Sequence, residues 1–163
     1  MSELLAKISS YNIFNYLLPG VLFVAFAKIW TGFSFVQDNL VIAAFVYYFI
    51  GMVISRIGSI LVEPILKKFG FLNFAEYADF VRASAKDAKI ETLSEANNSY
   101  RTLCALFISL LFLKLFDVVA QCLPFLSNGR TCLLLGSLFL LFLFSYRKQT
   151  SYITKRIRAN LDS

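Results

Sequence analysis

Four long apolar runs crowd a chain of 163 residues, and they leave little room for anything else. They cover residues 13–31 (IFNYLLPGVLFVAFAKIWT), 39–61 (NLVIAAFVYYFIGMVISRIGSIL), 102–119 (TLCALFISLLFLKLFDVV) and 131–146 (TCLLLGSLFLLFLFSY). A helix that crosses a bilayer needs about 20 mostly apolar residues. A soluble core helix can be apolar all round, but only inside a polar shell large enough to cover it. Here 58% of residues are hydrophobic and 16% charged, against about 45–50% and about 25% in soluble domains. The expected fold is therefore all-α: a polytopic membrane protein of four transmembrane helices. A small helical cytoplasmic cap is expected between the second and third spans. The whole chain forms one membrane domain. Ala25-Phe26-Ala27 has the form of a signal-cleavage site. Glu3 in the leader and the Pro19-Gly20 interruption oppose cleavage, so the first run is expected to remain as a span.

Lys and Arg in the connections set orientation. Lys7 precedes the first span, and residues 32–38 carry no cation. The middle segment carries Lys67, Lys68, Arg82, Lys86, Lys89 and Arg101, residues 120–130 only Arg130, and the tail Arg147, Lys148, Lys155, Arg156 and Arg158. The alternation predicts cytoplasmic termini and a cytoplasmic middle segment. Residues 65–101 form that cap, with a helix start at Asn73-Phe74-Ala75-Glu76 and a second helix from about residue 88 running into the third span. The fourth span is expected to run on into the basic tail, residues 147–163. Phe74 and Tyr77, with Arg147, Lys148, Lys155, Arg156 and Arg158, form a candidate surface for anionic lipid or a cytoplasmic protein partner. The net charge of +6 follows from this topology, and no nucleic-acid ligand is expected.

Charges inside an apolar span are costly and point to a role. Arg56 is the most informative. It lies seven residues before Glu63, on the same face of an unbroken helix. Three readings stand side by side: Arg56 snorkels to the headgroups, pairs with Glu63 in this subunit or a neighbour, or lines a gate. Lys28, Lys114 and Asp117 fall near the opposite end of their spans, as interface charges or as a vestibule cluster. Gly51, Ser55 and Ser59, with Gly58, make a small-residue ridge for close helix packing, within one subunit or between subunits. The second span is expected to be the most protein-buried, and the Leu/Phe-rich fourth the most lipid-facing. Pro64 should bend the second helix, and Pro19-Gly20 should kink the first. Cys122 and Cys132 flank one connection as a candidate disulfide or as two free thiols.

The chain has no His, which removes the commonest general base and metal ligand. No phosphate-binding glycine loop, G-x-S-x-G or H-E-x-x-H occurs. No catalytic, cofactor or metal site is expected, and the chain reads as a non-enzyme.

The stretches YNIFNYLLPG (11–20), YYFIGMVISRIGSILVEPILKK (47–68) and SEANNSYRTL (94–103) resemble small polytopic bacterial inner-membrane proteins of the kind associated with anti-phage defence. The resemblance covers the first two-thirds of the chain. It implies a membrane effector in a bacterial inner membrane and transfers no site residues. The leading expectation is an oligomeric, channel-like effector controlled by a cytoplasmic partner, in which self-association supplies the pore. A membrane anchor or scaffold without a pore is the alternative. A small-solute transporter ranks third, because the spans lack a midplane acid.

Overall fold

Two prolines and two glycines decide how the apolar helices wind and cross. The computed structural model describes residues 13–161, and for residue 14 and residues 124–127 the backbone alone. Helix α1, Leu18–Trp30, follows a π-helical turn at Ile13–Leu17. Helix α2, Leu40–Ile57, passes through a second π turn, Gly58–Val62, into α3, Glu63–Lys68. Helix α4 is Tyr77–Lys86, α5 is Lys89–Cys122 and α6 is Pro124–Leu161. No strand occurs among the described residues.

Each π turn ends two residues before a proline, Pro19 or Pro64. Proline has no N–H, and its ring collides with the carbonyl four residues back. The wider π turn accommodates that ring. At both places, where the sequence led to an expected kink or bend, a π turn is inserted and the helix continues. Helix α3 ends in a Schellman motif. Phe71 N–H donates to Leu66 O and Gly70 N–H to Lys67 O, with Gly70 at φ 71°. The next helix starts at Tyr77, three residues later than the sequence suggests. Asn73 does not cap it, and Glu76 precedes it without a side-chain bond. Asn39 does cap α2, accepting from Val41 N at 2.9 Å and Ile42 N at 3.1 Å.

Three helical stretches are long and apolar enough to cross a membrane: Leu40–Lys68, Lys89–Cys122 and Asn128–Leu161. The apolar helix Asn15–Trp30 is shorter. The expected continuity of α5 into residues before 102, and of α6 into the basic tail, holds. The second run is also the most buried of the three long ones, while none of the most apolar part of α6 is buried.

Helices α1 and α2 cross glycine on glycine. A Cβ at Gly20 would strike Tyr47 O, and a Cβ at Gly51 would strike Tyr16 O, so the backbones are in direct contact. Only glycine permits that approach. Gly58 lies against Arg101 O and the Ala105 Cβ of α5. The core of Ala27, Ile54, Val62, Ala105, Leu106 and Leu110 fills the space between α1, α2 and α5. Helix α6 leans on this unit more sparsely, through pairs such as Phe142 on Phe49, 6.1 Å between rings.

A polar node crosses the apolar core. Thr102 Oγ1 donates to Asn98 O at 2.8 Å and lies 3.3 Å from Ser55 Oγ and 3.2 Å from Asn15 Oδ1. Thr102, Asn15 and Ser55 are all buried. Buried polar groups that lose a partner cost about 1–3 kcal/mol. Thr102→Val is therefore expected to lower the thermal midpoint in detergent by roughly 5 °C. An unchanged midpoint would mean that the node contributes nothing.

Candidate functional site

The charges gather at two levels along the bundle. At one level stand Lys114, Asp117 and Arg130; at the other stand Glu63, Arg101 and Lys148. Sixteen residues separate Arg101 from Asp117 on α5, and eighteen separate Arg130 from Lys148 on α6. At 1.5 Å per residue these intervals are about 24 and about 27 Å.

The Glu63 level is the more developed. Glu63 is buried and gathers three cations. Its Oε2 accepts from Arg101 Nη1 at 2.8 Å, and its Oε1 lies 3.3 Å from Lys67 Nζ and 3.4 Å from Lys148 Nζ. One carboxylate thus joins α3, α5 and α6. The backbone explains why Lys148 is drawn in. Glu63 N–H reaches back five residues to Gly58 O. The next donor in that series would be the N–H that Pro64 lacks. Ser59 O is the carbonyl this leaves without a backbone donor. Lys148 Nζ donates to it at 2.6 Å and to Ser59 Oγ at 2.8 Å. With Glu63 Oε1, all three ammonium protons are used. Arg101 Nε is buried without a partner among the described residues.

This geometry corrects several expectations. Glu63 does not pair with Arg56, which is half-buried and forms no ion pair among the described residues. The π turn takes an additional residue, so positions beyond it are displaced around the helix by roughly one residue's rotation, about 100°. That removes Glu63 from the Arg56 face. Lys148 is not a lipid-facing tail cation but a structural partner. Arg147, Lys155, Arg156 and Arg158 are exposed, as expected. The small-residue ridge is consumed inside the chain. Gly51 meets α1, Ser55 meets Thr102, Gly58 meets α5 and Ser59 meets Lys148.

At the other level Lys114 and Asp117 do meet, at 3.9 Å. Lys28 is exposed and takes no part in an ion pair among the described residues. Gly32 N–H takes its place, donating to Asp117 Oδ2 at 3.1 Å. Cys122 and Cys132 are unbridged and exposed, as is Cys104. Cys122 closes α5, whereas α6 carries Cys132 about 12 Å along its axis from Pro124. That rise sets the two thiols on different levels of antiparallel helices.

Beyond the Glu63 level α5 and α6 continue for about 18 and about 20 Å. Helix α4 lies against both, with Tyr77 on Tyr152 at 5.9 Å. Phe74 lies under Lys67 Nζ, 3.9 Å from its ring centre. The projecting end of α6 carries Ile153, Ile157 and Leu161, exposed at 54, 55 and 79%. Spaced by four, they form one apolar stripe beside Lys155, Arg156 and Arg158. Its spacing is present in the sequence ITKRIRANL, interleaved with the charges.

Among the described residues no group of His, Cys, Asp and Glu could hold a metal ion. Compared with protein-family models, curated proteins and solved structures, the chain matches none.

Proposed function

We propose that the chain is a non-enzymatic integral membrane anchor with four spans that recruits a soluble protein to the cytoplasmic face. The carrying observation is the Ile153-Ile157-Leu161 stripe, an exposed apolar face on a helix that continues past the last apolar span. An amphipathic helix of this kind lays its stripe into an apolar groove. The flanking cations suit an acidic rim on the partner. The short helix Asn15–Trp30 spans the same interval of about 24 Å as α5 does between its charges, which supports a fourth crossing. Cation placement in the connections supports a cytoplasmic Glu63 end. The closed ion-pair layer and the internally used ridge favour an anchor over a pore.

The test is crosslinking in native membranes with Ile157→Asp. A soluble protein bound to 153–161 in the wild type should be lost in the variant, with membrane ion leakage unchanged in both. A partner retained in full by the variant would overturn the reading. Deleting 147–163 is a poorer test, because it removes Lys148 from Glu63.

The oligomeric effector remains the second reading, favoured by one observation: the unburied apolar face of α6. The resemblance to defence-associated membrane proteins supports it too. It requires subunits joined through α6 rather than through Gly51, Ser55, Gly58 and Ser59, and it requires a conductance from the purified assembly.

A further inference from the structure

Arg130, near the start of α6, is the only cation in residues 32–38 and 120–130, and the anchor does not use it. Two cavities meet beside it. A polar one of about 270 Å³ is bordered by Asp117, Gln121 and Arg130. A larger, mainly apolar one of about 790 Å³ runs down between the 31–39 connection, α5 and α6, past Leu134 and Ser137. Phe33, Phe116 and Arg130 border both, so the two form one continuous cleft.

The charges in the polar part do not balance. Asp117 is already held by Gly32 N–H and Lys114 Nζ. Arg130 has no ion-pair partner among the described residues. An unpaired guanidinium at the mouth of an apolar slot matches a molecule with an anionic head and a hydrocarbon chain. A guanidinium suits phosphate in particular, through its planar fork of donors. We infer that this cleft binds one anionic membrane glycerophospholipid, with its phosphate at Arg130 and an acyl chain along the α5–α6 slot. The 790 Å³ slot lies within the usual 300–1,000 Å³ of small-molecule sites. It opens between α5 and α6, which gives a chain a lateral entry.

This inference is independent of any soluble partner. Its test is native mass spectrometry of the full chain, purified in detergent and titrated with phosphatidylglycerol or phosphatidylcholine. The wild type should retain one phosphatidylglycerol per chain and prefer it to phosphatidylcholine. One cation near a headgroup contributes about 1 kcal/mol, so Arg130→Gln should reduce that preference roughly five-fold. Ser137→Phe places a ring in the slot from an exposed position on α6 and should weaken both lipids alike. An unchanged preference in Arg130→Gln would overturn the headgroup assignment. Equal lipid retention in Ser137→Phe and the wild type would overturn the acyl slot. A second copy of the chain displacing the lipid would overturn both.

Discussion

Replacing Gly51 with leucine is expected to lower the thermal midpoint in detergent by more than about 10 °C and to separate α1 from the remaining helices. A Cβ at this position points into Tyr16 O, and the amide of Gly20 stands 3.1 Å away. Both obstacles are backbone, so no rotamer change relieves them. The helices must move apart, and the Asn15–Thr102–Ser55 node sits on that same crossing. Losses above about 4 kcal/mol come from such forced separations, and each kcal/mol shifts the midpoint of a chain this size by about 2–4 °C. Gly20→Leu should behave alike, because the crossing is reciprocal. Gly136→Leu, which meets nothing within 4 Å, is the control. Equal midpoints for the Gly51 and Gly136 variants would refute the crossing.

Glu63→Gln should be the most damaging single change outside that crossing. It leaves Arg101 and Lys148, both largely shielded from solvent, without their shared carboxylate. Removing one partner of a buried pair costs about 3–5 kcal/mol. Lys67 is 42% exposed and adds little to that figure. The sharper readout is local. Helix α6 is tied to the rest at this level by Lys148, so amide exchange in 147–161 should accelerate while α1 and α2 stay protected. Unchanged exchange in 147–161 would show that something other than Glu63 holds the helix. Lys148→Met should also loosen α6, since it leaves Ser59 O without a donor as well.

The class of fold was legible from residue type alone. Long apolar runs can satisfy their backbone only as helices, and the polar start of α5 and basic end of α6 follow from unbroken helix-forming sequence. The site was half legible. Glu63 stood out only as one of three readings of Arg56, and its actual partners Arg101 and Lys148 were not foreseen. Periodicity assumes a constant 3.6 residues per turn, and the π turn at Gly58–Val62 breaks that assumption just before Glu63. Lys148 lies 85 residues away, so no local pattern could join the two. Gly20 was read with Pro19 as a kink. Its reciprocal partner Gly51 sits on another helix, and only the crossing reveals why both are glycine. The stripe at Ile153, Ile157 and Leu161 was legible from apolar spacing within a basic tail.

The two charge levels also set a length. In a bilayer, Arg130 and Asp117 belong near one headgroup layer and Arg101 and Lys148 near the other, at a separation of about 24–27 Å. That is shorter than the average hydrocarbon thickness of about 30 Å. Tilting cannot remedy a span that is too short; it only shortens it further. The surrounding lipid must thin, or the end charges must stretch to meet the headgroups. In a membrane the protein would therefore partition toward thin regions and draw neighbouring lipid inward.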